Sequence, residues 1–426
     1  MEVPLTAEDR AILALEGPRI VGHTATVVHL PVGAPDLRDL RNSVARRLPD
    51  APRLTWRLGG TADAPVWRPA DVDVAAQVRA LPAGGPLDGA GLRARLAGLF
   101  EERLDRSRPL WQLDVVGPVA GGGALLVWRV HHALADGGTV LRLAEAVLWD
   151  PVPVHDRPGP AGAGRFAPQA AGPGPRRSLL GVLTGELVPG LRRPPFDAEP
   201  GNGRAVALAT TSMPALHEAA RRLAGATVND AVLAVVAGAL RRWLEHRHGP
   251  LRAVRVKVPV TLHHDGDQLG NRDSWFRVDL PVDEPDPVAR LAGVRRETAQ
   301  RKARHDAEEL DRVVDGVARS SPRAAAWVQR LERSGRSFAL NVSNVRGPTR
   351  PVTVLGAPVG AVHPLVEVAQ QHALRVAVLS VADRLGFGLV ADPSVVGDLD
   401  LLAAALEDEA AALVAAAGQG GGRQPG

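Results

Sequence analysis

Residues 124–148 constrain this chain most. Ala124 to His132 is a run of strand-forming residues, and from Val140 the apolar residues Leu141, Leu143, Ala144, Val147 and Leu148 follow at helical spacing. The stretch between them, Ala133-Leu134-Ala135-Asp136-Gly137-Gly138, leaves room only for a tight loop. A strand, a tight loop and a helix in succession form a unit of mixed α/β architecture, in which helices pack on a sheet. Alternation along the strand puts Leu126, Trp128, Val130 and His132 on one face. Leu125, Val127, Arg129 and His131 fall on the other. His132 is thus in line with large apolar side chains, and His131 points away from them.

The loop also carries candidate chemistry. An imidazole at the end of a buried strand is held neutral by apolar neighbours. A neutral imidazole is a suitable general base near physiological pH. Asp136, four residues further on, can fix the loop by hydrogen-bonding its backbone or pairing with an arginine. Gly137 and Gly138 are expected to supply the backbone freedom and close approach that a substrate tunnel needs. The competing account is a core histidine beside an ordinary turn. The H-H-x-x-x-D-G pattern in a strand–loop–helix setting favours function.

The same alternation recurs along the chain. Strands are expected at 24–30, 111–116, 254–260, 274–280, 337–343 and 373–381. Helices are expected at 36–48, 227–246, 286–305 and 399–417. Between them, a segment rich in proline and glycine (Pro151, Pro153, Pro158, Pro160, Pro168, Pro173, Pro175) reads as a linker, with one short helical piece at 178–187. The expected organisation is an N-terminal half, 1–155, a linker or crossover, 156–203, a C-terminal half, 204–417, and a disordered tail, 418–426.

Composition removes several function classes. With 426 residues and no cysteine, the chain has no disulfide framework, no thiolate metal site and no acyl-cysteine chemistry. The sequence pI is about 10.5, yet the net charge is only +4. Tyr and Cys are absent and only Lys257 and Lys302 are lysines, so little titrates between neutral pH and the arginines. The high pI follows from missing buffers, and a nucleic-acid partner is not expected. The first residues lack a signal-peptide pattern and no run of about 18 apolar residues occurs, so a cytoplasmic protein is expected.

Further motifs accompany the histidines. Pro4-Leu5-Thr6-Ala7-Glu8-Asp9, Arg108-Pro109-Leu110-Trp111, Thr227-Val228-Asn229-Asp230, Leu269-Gly270-Asn271, Ser343-Asn344-Val345 with Gly347-Pro348, and Gly386-Phe387-Gly388-Leu389 with Ala391-Asp392-Pro393 occur in that order. Around His131-His132-x-x-x-Asp136-Gly137, this series resembles the bacterial wax ester synthase/diacylglycerol acyltransferases, of the CoA-dependent acyltransferase superfamily, over nearly the whole chain. The resemblance implies two chloramphenicol acetyltransferase-like halves joined by a crossover, with an active-site tunnel at their interface. It implies that His132 is the general base that deprotonates an acceptor hydroxyl for attack on an acyl-CoA thioester, with no acyl-enzyme. His131 would support it and Asp136 would be structural. Acyl-CoA is then a co-substrate, and no permanently bound cofactor or metal is expected. Two departures bear on the acceptor: Arg346 stands in place of the motif's proline, and Val381 in place of a tyrosine.

The remaining candidates have plainer alternatives. Thr227 and Asp230 have capping-box spacing, which explains them without catalysis. Asn271 could donate to a developing oxyanion or simply close a loop. Ser343 and Asn344 could stabilise a tetrahedral intermediate or form a turn. Trp111 reads as core before acyl contact. His263-His264-Asp265-Gly266-Asp267 reads as a solvated turn. His131 and His132 point oppositely and make a poor ligand pair.

The expected activity is transfer of an acyl group to a long-chain alcohol or a diacylglycerol. An alternative keeps the mechanism but takes a hydroxyl or amine of a specialised metabolite. A different class of reading is a non-catalytic acyl-CoA- or lipid-binding protein. Peripheral contact with a membrane or lipid body, through Leu179 to Leu191, is a further expectation.

Overall fold

The computed structural model describes residues 2–61, 63–151, 193–261, 273–303 and 338–420. The first stretch runs β1 (Val3–Pro4), α1 (Ala7–Leu15), β2 (His23–Leu30) and α2 (Leu37–Arg47). It continues with β3 (Trp56–Gly60), β4 (Pro65–Pro69), α3 (Val74–Gln77) and β5 (Val78–Leu87). Then come α4 (Gly89–Glu101), β6 (Trp111–Val119), β7 (Ala124–His131) and α5 (Gly137–Val147). After residue 193 follow β8 (Ala205–Ser212), α6 (Met213–Ala224), α7 (Val228–Arg247), β9 (Val254–Thr261), β10 (Asp273–Leu280) and α8 (Pro287–Ala303). The last stretch holds β11 (Leu340–Arg346), β12 (Thr353–Val354), β13 (Ala357–Pro358) and β14 (Val362–Val366). It ends with β15 (Leu374–Val381), β16 (Arg384–Ala391) and α9 (Leu399–Gly420).

Two mixed sheets organise these elements. The first has the order β14-β2-β7-β6-β5 and the second β10-β9-β11-β15-β16-β8. β5 runs parallel to β6, and β11 runs parallel to both β9 and β15; the other pairs in the two sheets are antiparallel. The α/β class expected from the sequence therefore holds. The strand expected at 337–343 begins three residues later, at Leu340. The terminal helix runs past 417 to Gly420, so 418–420 are helical where a tail was expected. The linker helix at 178–187 lies outside the described residues.

Local chemistry explains the helix starts. Asp36 caps α2 by accepting from Asp39 N, 2.9 Å. Thr227 and Asp230 form a reciprocal capping box at α7. The body of α7 is held by burial: Ala231 to Leu240 are all buried, enclosed by the second sheet and by α6, α8 and α9. Each buried Val or Leu there contributes about 1.5–3 kcal/mol, against about 1 kcal/mol for a typical cap.

The two halves share structure. β14 comes from the C-terminal stretch but pairs with β2, completing the N-terminal sheet. Its backbone also lies across β16, where a Cβ at Gly386 or Gly388 would fall on the carbonyl oxygens of Val362 and Pro364. Only glycine allows that approach. Leu379 and Val381 of β15 pack into the N-terminal core with Trp128 and Val140. The histidine loop is therefore placed against a C-terminal strand by a shared core.

Candidate active site

β7 is buried along its whole length and ends at His131. On its far face Arg129 donates from Nη2 to Asp114 Oδ2 (2.9 Å), and Arg79 Nε donates to Asp114 Oδ1 (2.6 Å). These charge-assisted bonds satisfy a fully buried carboxylate and fix the strand below the loop.

His131 and His132 are held from opposite sides. His131 is buried, and its Nδ1 accepts from Ala133 N at 3.1 Å. That leaves Nε2 carrying the proton, 3.2 Å from Glu16 Oε2. Glu16 is the C-cap residue of α1, a helix whose start is fixed by a Thr6–Asp9 capping box. Burial raises the Glu16 carboxyl, but His131 and Arg106 outweigh it and hold the pKa below the usual value. Arg106 Nη2 lies 2.5 Å from Glu16 Oε2. Gly22 locks both histidines: its carbonyl accepts from His132 N (2.8 Å), and a Cβ there would sit 2.6 Å from His131 Nε2. Its φ of +76° also favours glycine.

His132 is only half-buried, but its Nδ1 is enclosed and finds no well-formed hydrogen bond. Burial lowers its pKa against the pull of its own carbonyl and of Asp136, and His131 and Arg375 lower it further. The ring is thus kept neutral by its surroundings.

Asp136 is buried and caps α5, accepting from Thr139 N at 2.6 Å. Its Oδ2 has no hydrogen-bond partner, and among the described residues no arginine pairs with it. The arginine partner considered from the sequence is replaced by a helix cap. Gly137 and Gly138 open α5, and neither has a left-handed backbone. The freedom expected of them is unused. What Gly137 does is face the other half: a Cβ there would lie 3.7 Å from Val345 Cγ2 on β11.

Ser343 shares the face of β11 that carries Val345, two residues away. Asn344 turns to the opposite side, where its Nδ2 lies 3.5 Å from Asn229 Oδ1 in the first turn of α7. The two C-terminal motifs thus meet behind the strand that faces the histidine loop. Trp111 is core: its indole N–H donates to the Leu54 carbonyl (2.7 Å) and its ring lies against Trp128 at 5.2 Å. This corrects its candidacy as a substrate contact. Asn271 and the His263-His264 segment lie outside the described residues. Among the described residues, no group of three His, Asp or Glu side chains gathers as metal ligands.

Comparison with known proteins decides the family. The model of the wax ester synthase/diacylglycerol acyltransferase catalytic domain matches residues 5–177, and that of the WS/DGAT C-terminal domain matches 269–413. A Mycobacterium tuberculosis protein named a probable diacylglycerol O-acyltransferase is 30% identical over 79% of this chain and 80% of its own. The chain belongs to the wax ester synthase/diacylglycerol acyltransferase family. The O-acyltransferase WSD of Acinetobacter baylyi is 25% identical over 72% of this chain and 73% of its own. Among solved structures, the wax ester synthase/diacylglycerol acyltransferase of Marinobacter aquaeolei has a TM-score of 0.69 at 22% identity. The match covers 98% of this chain and 100% of that one. The first condensation domain of the calcium-dependent antibiotic synthetase has a TM-score of 0.60 at 17% identity, over 98% and 96%. The O-acyltransferase class and the neutral-lipid-ester chemistry expected from the sequence are those of the family.

Sequence reasoning missed Glu16, Gly22 and Arg375 as neighbours of the wax ester synthase-type histidine pair. Glu16 closes an unremarkable helix, and its partners lie 90 and 115 residues away. No local pattern marks such a residue.

Proposed function

We propose that the protein transfers the acyl group of an acyl-CoA to the hydroxyl of a long-chain alcohol or a diacylglycerol, with His132 as general base. The observation that carries this reading is His132, partly exposed just past the end of β7, with its pKa lowered first by burial. With its Nδ1 enclosed, Nε2 is the nitrogen that presents a lone pair to the acceptor hydroxyl. The hydroxyl oxygen attacks the thioester carbonyl as its proton passes to Nε2, and the collapsing intermediate expels the CoA thiolate, which takes that proton back. In this reading Ser343, on β11, donates to the oxyanion. No permanent cofactor enters these steps. Asp136 holds the loop through α5, and Glu16 with Gly22 holds His131 beneath it.

Among the described residues no single helix is long and apolar enough to cross a membrane. We place the protein in the cytoplasm, meeting its apolar substrates at a membrane or lipid-body surface.

The test is thiol release from a panel of acyl-CoAs, with and without long-chain alcohols or diacylglycerol. The chain has no cysteine to react with the thiol reagent. His132→Ala should cut acceptor-dependent release about 10²- to 10⁴-fold. Undiminished release in the variant refutes the general-base role. A second reading, acylation of a specialised metabolite, is favoured by exposed Arg346 and by Val381, which stand where the family carries proline and tyrosine. Turnover with such an acceptor, but with neither alcohol nor diacylglycerol, would select it. CoA binding without release from any pair would select the non-catalytic reading.

A further inference from the structure

The second sheet has two unlike faces. Val256, Val258, Val278, Leu340, Val342 and Val376 point into the core under the helices. The opposite face continues the surface that Val345, Leu379 and Val381 turn toward the N-terminal half. On that face a cross-strand row is cationic. Arg277 of β10 stands opposite Lys257 of β9, Lys257 opposite Asn341 of β11, and Asn341 opposite Arg375 of β15. The row crosses three strand spacings, about 14 Å at about 4.8 Å each.

Aromatic rings shape its outer end. Lys257 Nζ lies 4.6 Å from the Trp275 ring centre, and Arg277 Cζ lies 4.8 Å from the same ring. Lys257 is one of two lysines in a chain that otherwise uses arginine. At the inner end, Arg375 makes no hydrogen bond or ion pair among the described residues, and its Nε is buried without a partner. Burial pushes its pKa down to about 10, against the pull of Glu367. Beside it His372 stacks on Phe338 at 4.3 Å, buried, with neither ring nitrogen bonded. Buried donors left open in this way are costly unless a ligand meets them. Arg375 is also close enough to His132 to lower its pKa. Arg375 shares its face of β15 with Leu379 and Val381, which pack into the N-terminal core, so the row runs from the strand that meets the N-terminal half to the edge strand β10.

We propose that this row binds the acyl-CoA, with Lys257 and Arg277 on its phosphates and Arg375 donating to the carbonyl oxygens of the pantetheine arm. The proposal rests on the acyl-CoA reading above and adds where the donor lies. A pantetheine arm is long enough to span the row. The thioester then reaches His132 from the β10 side, which leaves the other side of His132 to the acceptor.

The test compares an acyl-CoA with the N-acetylcysteamine thioester of the same acyl chain, which carries no phosphate. Lys257→Gln and Arg277→Gln should each raise KM for the acyl-CoA about tenfold, while KM for the truncated donor stays within twofold. An equal rise with both donors, or no rise with either, overturns the proposal. If the variants do not fold, the unmodified protein still decides. Adenosine 3′,5′-bisphosphate should compete with the acyl-CoA but not with the truncated donor, and added salt should weaken that competition. Absence of competition overturns the row. If the unmodified protein transfers from neither donor, the acyltransferase reading itself fails and the row falls with it.

Discussion

His131 Nε2 stands 3.2 Å from Glu16 Oε2, a carboxylate 115 residues earlier in the chain. Both side chains are almost fully buried, so the contact fixes the floor of the histidine loop from an element that the loop's own sequence does not contain.

Replacing the first histidine should therefore act on the fold before the chemistry. His131→Ala strips Glu16 of one buried partner and leaves Ala133 N without its acceptor. We expect a loss of about 2–3 kcal/mol, read as a clear fall in Tm. His132→Ala, at a partly exposed ring that anchors no neighbour by a hydrogen bond from its Nδ1, should move Tm less while removing turnover. Equal destabilisation by the two variants would contradict this division of labour.

The rate should follow the protonation of His132. The base must be neutral, and its pKa lies below 6.5, lowered first by burial. kcat/KM should rise with pH through a midpoint below 6.5 and be level at neutral pH. Arg375→Gln removes one of the lowering charges, so the midpoint should move up. A midpoint above 7 in the unmodified protein would argue against His132 as the titrating base.

Gly388→Ala should be far more damaging than an ordinary glycine-to-alanine change. The new Cβ falls on the Pro364 carbonyl, which belongs to backbone and cannot swing aside. Displacing β14 should cost about 1–3 kcal/mol or more. Because β14 also borders β2, acyl transfer should fall with stability. A variant with an unchanged Tm would show that β14 does not depend on this approach.

Much of the architecture was legible in the chain. Asp36 before an amphipathic run marked one helix, and Thr227 to Asp230 before an apolar run marked another; both caps are present in the fold. The strand–loop–helix around His132 could be read from alternation and glycine placement, although the glycines do not play the conformational part expected of them. Among the elements that were missed, which include α4, β8 and α6, β14 has an identifiable cause. β14 is five residues long and contains Pro364, which by pattern demotes a strand; it is tolerated at the edge of a sheet. Glu16 and Arg375 gain their surroundings only from packing between distant segments. The order of motifs pointed to the candidate site, whereas its electrostatics came from residues that no motif names.

The sharing of β14 has a consequence for how the molecule is made. As the chain leaves the ribosome, β2 is complete by residue 30, but its outer partner arrives only at 362–366. At about 5–20 residues per second, that strand edge waits for tens of seconds. During synthesis the first sheet therefore carries an open, apolar edge, a template for pairing with another nascent chain. Rapid overproduction should expose this hazard, and slower translation or a chaperone that shields the edge should relieve it.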